Sequence, residues 1–268
     1  MDDLRRPPSR MLVALASVGL VFLLLPVLII IPLSLGESRF LEFPPSGWSL
    51  RWYRTFFTDP AWLDSLYASF VIGCVVTLLS VVLSTMAAVG IVRSRSAFSR
   101  LTLAILLSPM IVPAIVTAIA LYGFMAAVGL AGGYVAIIIG HTLLAVPFVT
   151  ISVMTSLLGF DAAYERASLS LGATPRHTFV RVTLPNILPG VLSGALLAFV
   201  TSFDDVILAL FLGGRTMTLS RKIWEDLVVL VEPTQAAAST VLLAISLLLL
   251  FAWAVLQRRA RNFRSGLG

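Results

Sequence analysis

Two carboxylates, Asp204 and Asp205, stand side by side in an otherwise apolar run, preceded by Thr201 and Ser202. A charge at the centre of a bilayer costs about 2.5 to 3.5 kcal/mol on insertion scales, so such a pair implies a water-filled cavity or a partner. Adjacent helical residues point about 100° apart, so the two acids cannot serve one cation equally. Two readings stand. One of the acids lines a polar path that favours a cationic amine, or both are tied to backbone amides or an arginine and are architectural. A shared-proton aspartyl pair needs carboxylates from two facing elements, which neighbours on one helix do not supply. Other reactive types are sparse. Cys74 is the single cysteine, which excludes an intramolecular disulfide and a cysteine-based zinc site. His141 and His177 lack metal-ligand spacing, and His141, beside Thr142, reads as a hydrogen-bonded packing residue. No Gly-x4-Gly-Lys-Ser/Thr run is present to cradle a nucleotide, so any ATP chemistry must come from another chain. No catalytic residue, metal ligand or cofactor site is expected in this one.

The elements that must position these residues are apolar spans. Of 268 residues, 59% are apolar and 12% charged, and the mean hydropathy is +1.00. A soluble globule carries about 25% charge, so this chain has too little polar surface to coat a soluble core. An all-α polytopic membrane helix bundle follows. A helix needs about 20 apolar residues to cross the hydrocarbon core, and six runs qualify, near 11–35, 66–92, 101–128, 134–158, 187–212 and 236–256. They define a membrane domain over 11–257 with tails at 1–10 and 258–268. The first run follows Arg5, Arg6 and Arg10, exceeds the length of a signal h-region and lacks a small-residue cleavage site, so it reads as a retained signal anchor. Pro109 and Pro113, after Ser108, free backbone carbonyls and should bend the third run, as Pro147 should the fourth and Pro189, with Gly190 and Gly194, the fifth. Such breaks suit helices that rock against one another, although static bundles have them too. Tyr122 and Phe124 read as path-lining or packing aromatics.

The net charge of +6 does not point to nucleic acid, because its basic residues lie between apolar runs. Placing both termini in the cytoplasm puts 13 of the 19 inside: Arg5, Arg6, Arg10, Arg93, Arg95, Arg100, Arg166, Arg176, Arg181, Arg258, Arg259, Arg261 and Arg264. Outside fall Arg39, Arg51, Arg54, Arg215, Arg221 and Lys222, offset by acids such as Glu37, Asp64 and Glu225. The outer segment 36–65, with Pro44, Pro45, Trp48, Trp52, Tyr53 and Trp62, has the mix expected at headgroup level, as an interfacial loop or as a docking surface.

Inside, 159–185 is the one connection long enough to fold on its own. Asp161 is a plausible N-cap, Glu165 sits in the early turns, Gly172 is placed to end a short helix, and Thr174-Pro175 to start a second one that runs to Leu184-Pro185. Ala162, Ala163, Ala167 and Ser168 are small enough for another protein to approach closely.

The spacing Ala167-x4-Gly172, with Val182-x-Leu184-Pro185, resembles the EAA loop of binding-protein-dependent ABC import permeases of the six-span, MetI-like type. The resemblance implies that 159–185 forms a coupling helix docking into a cytoplasmic ATPase, with Glu165, Arg166, Ala167, Ser168, Gly172, Ala173 and Pro185 as its coupling residues. It departs at the family's glutamate, where Arg166 stands one residue after Glu165, at its second alanine, which is Ser168, and at its isoleucine, which is Val182. Either Glu165 substitutes or Arg166 faces an acid on the ATPase. From Trp48-Ser-Leu-Arg-Trp-Tyr53 to the sixth run, with Ser202-Phe203-Asp204-Asp205 and Glu232-Pro233-Thr234, the chain looks most like the polyamine branch, for spermidine or putrescine. That implies an inner-membrane permease subunit in contact with lipid, a second related permease, two ATPase subunits that bind ATP and Mg2+, and a solute-binding protein. Ser202, Asp204, Asp205 and Tyr122 are the candidate path residues. A proton-coupled secondary carrier and an intramembrane enzyme are the alternatives of other classes.

Overall fold

The computed structural model describes residues 10–94 and 96–265, without the side chains of Arg10, Pro26, Ala97 and 256–265. The expected topology bases Arg5, Arg6 and Arg95, and the side chains of Arg10, Arg258, Arg259, Arg261 and Arg264, lie outside that description. All the elements are helical: α1 Arg10–Ser34, α2 Arg51–Thr58, α3 Pro60–Arg93, α4 Ala97–Leu107, α5 Ala114–Ala127 and α6 Tyr134–Leu158. They are followed by α7 Ala163–Ser170, α8 Pro175–Thr178, α9 Leu184–Asp204, α10 Ile207–Leu212, α11 Leu219–Val229 and α12 Pro233–Ser265. Four helical runs, Pro60–Arg93, Tyr134–Leu158, Pro175–Asp204 and Pro233–Val255, are long and apolar enough to cross a membrane. Two further pairs, Met11–Leu25 with Val27–Ser34 and Phe98–Met110 with Ala114–Ala127, bend by 40° and 104°, and the count reaches six if each pair is one span.

The larger bend falls where the sequence places its prolines. A 3-10 turn, Ser108–Met110, follows α4, and Pro113 precedes α5. Proline donates no N–H and its ring clashes with the carbonyl four residues back, so a straight helix through both prolines is disfavoured. The run expected as one span over 101–128 is therefore two helices with sharply different axes. At the other breaks the sequence is less direct. Pro147 lies inside the unbroken α6, and Pro189 inside α9.

The chain divides into two compact units. One comprises the described residues up to Pro60 together with Glu225–Ala244. In it the segment that follows α1 is tied by Trp52 Nε1 donating to Gly36 O at 2.8 Å and by Ser34 Oγ and Tyr53 Oη at 2.7 Å. Trp52 and Phe56 are buried and the Arg51 guanidinium stacks on the Trp52 ring at 4.2 Å, whereas Trp48 is exposed.

The other unit comprises Ala61–Trp224 and the residues from Ile245 on. Its centre is the packing of α6 on α9, with Ile137, Val149, Val153, Ile187 and Ala198 buried in one apolar cluster. Gly194 makes this approach possible, because a Cβ there would lie 2.9 Å from the Cα of Val149. Membrane helices gain little from apolar burial against lipid and associate instead through close van der Waals packing, which small residues allow. Ser84 Oγ adds a hydrogen bond from α3 to Val146 O of α6 at 3.0 Å.

Candidate functional site

Two places carry the polar chemistry, the loop between α6 and α9 and the end of α9. The loop is built by capping. The Asp161 carboxylate accepts from Ala163 N at 2.8 Å, although the cap residue itself is Ala162, one position later than the sequence suggests. At the other end Gly172 N donates to Leu169 O at 3.0 Å and Ala173 N to Ser168 O at 3.2 Å, with Gly172 at φ +87°. This is the Schellman closure, which needs a left-handed residue after the last turn, and glycine takes it without a Cβ penalty. Thr174 Oγ1 then accepts from His177 N at 3.3 Å and caps α8, with Pro175 in the first turn. The helix continues through a π-helical stretch, Phe179–Thr183, whose widened turn is marked by Leu184 N bonding to Phe179 O. That turn directly precedes Pro185, where a normal ladder would lose its donor.

Side chains sort α7 into two faces. Glu165 forms an ion pair with Arg93 at the end of α3 and accepts the hydroxyl of Thr183. Ser168 Oγ lies 2.9 Å from Thr178 Oγ1. Three residues apart, Glu165 and Ser168 share the face that α7 turns to the bundle, the spacing of helical neighbours. Arg166, Ala167, Leu169 and Ser170 are exposed, and beyond the helix Leu171 is 89% exposed. Gly172 and Pro185 are exposed and Ala173 is half-buried. The expected coupling residues thus lie in one loop but not on one surface. Arg93 and Thr183, the partners of Glu165, were not singled out in the sequence, where a lone arginine at a span end signals topology alone.

At the second place the structure departs from a continuous fifth span. α9 stops at Asp204, Asp205 is extended at ψ 124°, and α10 restarts at Ile207. The acids are therefore at an interruption, and Asp205 has left the helical geometry from which the 100° separation was argued. Asp205 Oδ1 accepts from Leu208 N at 2.8 Å and so caps α10, while its carbonyl accepts Ser220 Oγ at 2.8 Å. Asp204 is exposed and Asp205 partly buried. Against this interruption stands His141 of α6, with Nδ1 2.9 Å from Ser202 Oγ and Nε2 3.4 Å from Asp205 Oδ1. The packing role expected of His141 is met, with partners that no spacing could supply. Tyr122, on α5, is half-exposed and joins none of these hydrogen bonds. A separate apolar groove of about 380 Å³ runs along the α4–α5 bend, lined by Pro109, Val112, Val116, Leu121 and Phe124. Among the described residues no group of three His, Cys, Asp or Glu side chains could hold a metal ion.

Helices long and apolar enough to cross a membrane, one pair of them sharply bent, with a capped helical hairpin between two of them, define a polytopic membrane protein. The chain belongs to the family of binding-protein-dependent transport system inner membrane components, whose model matches residues 80–262. It is 30% identical over 266 residues to the putrescine transport system permease protein PotI of Escherichia coli, covering 96% of this chain and 94% of that one. The spermidine/putrescine permease PotC of Haemophilus influenzae is 28% identical over 85% of this chain and 89% of its own length. The molybdenum permease ModB of Mycobacterium bovis is 31% identical over 86% and 87%. In fold, the chain superposes on a chain of a bacterial ABC transporter for import of the acidic polysaccharide alginate with a TM-score of 0.70, covering 93% of this chain and 94% of that chain at 16% identity. A chain of the inward-facing MetNI methionine transporter gives 0.63, over 74% and 95%, at 22% identity. The chain is an inner-membrane permease subunit of a binding-protein-dependent transport system, a transport subunit and not an enzyme.

Proposed function

We propose that this subunit forms half of a translocation path for a small cationic amine of the polyamine type, paired with a second, related permease. Two cytoplasmic ATPase subunits, binding ATP and Mg2+, drive the pair, and a solute-binding protein delivers cargo from outside. Both termini face the cytoplasm, as the distribution of arginine and lysine favours. The observation that carries the cargo class is the exposed carboxylate of Asp204 at the α9 interruption, in a chain 30% identical to a putrescine permease along almost its whole length. An acid in a low-dielectric wall draws a cation and repels an anion.

Coupling runs through 159–185. The exposed face of α7, with Arg166, Ala167 and Leu169, seats in the ATPase. Arg166, in the position of the family's glutamate, meets an acid there, while Glu165 holds α7 to the bundle through Arg93. Closure of the ATPase dimer moves α7 as a rigid body, and α9, continuous in helix with α8, carries that motion into the membrane. The 31% identity to a molybdenum permease favours a second reading, an oxyanion cargo. Asp204 weighs against it on charge.

The test is uptake into proteoliposomes holding the permease pair, its ATPase and its solute-binding protein, with labelled putrescine and labelled molybdate compared. ATP-dependent putrescine uptake that competes with spermidine is expected. ATP-dependent uptake of molybdate alone would overturn the amine reading. Uptake driven by a proton gradient without ATP would overturn the coupling.

A further inference from the structure

The interruption between α9 and α10 has one local contact, the Asp205 carboxylate accepting from Leu208 N at 2.8 Å. From Thr201 to Leu212 the sequence contains neither glycine nor proline, and Val206, Ile207 and Leu208 would extend a helix across it. Further contacts reach it from another element. His141 of α6 has a fully buried side chain and touches both sides of the break, Ser202 in the last turn of α9 and Asp205 before α10. A neutral imidazole has one N–H. If Nδ1 carried it, Nε2 would turn a lone pair on the Asp205 carboxylate. With the proton on Nε2, Ser202 donates to Nδ1, and an N–H rather than a lone pair faces the Asp205 carboxylate. At 3.4 Å the Nε2 contact falls short of a hydrogen bond, and Nε2 is one of the buried atoms without one. Asp205 Oδ1 is meanwhile engaged by Leu208 N.

We propose that His141, as the Nε2–H tautomer, is a positioning residue for cargo binding, fixing the end of α9 so that Asp204 is turned away from the bundle. The proposal rests on the reading of Asp204 as the cargo contact, but the placement of Asp204 can be measured separately. Gln at 141 can present an amide N–H near Nε2, whereas Asn reaches only the place of Nδ1. In the assembled complex, at equal amounts of folded protein, His141→Gln should keep the putrescine KM within about threefold and His141→Asn should raise it about tenfold. In a Cys74→Ala background, the Asp204→Cys side chain should react with a water-soluble thiol reagent at a similar rate beside His141→Gln and several-fold slower beside His141→Asn. His141→Leu, which fills similar space without an N–H, replaces His141→Asn if that variant does not assemble, with the same expected changes. Equal KM and equal thiol reactivity for the Gln and the Asn or Leu variants would overturn the positioning role. Altered thiol reactivity in a chain whose Asp204→Asn variant transports normally would uphold the placement of Asp204 by His141 and overturn its role in cargo binding.

Discussion

The α7 loop and the α9 interruption use the same pieces, an acid facing a base with a hydroxyl between neighbouring elements, and differ in burial. In the loop, the Glu165 and Arg93 side chains are 17% and 44% exposed. At the interruption, Asp205 and His141 are 13% and 0% exposed. Exposed charge pairs contribute at most about 1 kcal/mol, since water competes for both partners, whereas a buried polar group left without its partner costs about 1 to 3 kcal/mol. The loop is thus a surface held in place by moderate contacts and free to be gripped by another protein. The interruption is a backbone distortion held by contacts that water cannot replace.

Breaking the buried side should have the largest effect. Asp205→Leu strips the α10 cap and leaves Leu208 N without its acceptor, so folded protein should be lost by about 2 to 4 kcal/mol, read from thermal unfolding in detergent. Glu165→Leu comes next. It leaves Arg93 and Thr183 without their acceptor, and hydrogen exchange over 163–172 should accelerate by about tenfold while the melting temperature of the whole chain stays nearly constant. A fall in global melting as large as that of Asp205→Leu would remove the distinction between the two sites. Gly172→Ala forces a Cβ into a left-handed turn and should loosen the same segment by about 1 kcal/mol, seen in the same exchange measurement. Arg166→Ala should change stability by less than about 0.5 kcal/mol, because its side chain is exposed, yet lower cargo-stimulated ATP turnover in the assembled complex. Unaltered turnover would place the ATPase contact elsewhere on the loop.

The two regions were also unequally legible. In the loop, Asp161, Gly172, Thr174 and Pro175 each act within a few residues of their own position, so capping rules read from the chain nearly match the observed turns. The bend after α4 was legible from Pro109 and Pro113, two prolines four residues apart, whereas the single Pro147 and Pro189 lie inside helices that continue. The break at Asp205 was not. Its residues have the pattern of an uninterrupted apolar helix, and of the groups that meet Asp205, Leu208 is near in sequence while His141 and Ser220 are 64 residues before and 15 after. Nor could the sequence say which of Glu165 and Arg166 faces the bundle, because that depended on where Arg93 and Thr183 arrive.

The sequence by itself determined that the chain is a helical membrane protein, because hydropathy and caps act over a single turn or span and need no distant partner, and the spacing in 159–185 carried its resemblance to the transport family. Only the tertiary structure decided that Asp204 and Asp205 differ. Their chemistry is identical and they are adjacent, but a helix that stops between them leaves one carboxylate exposed and ties the other to Leu208 beside His141.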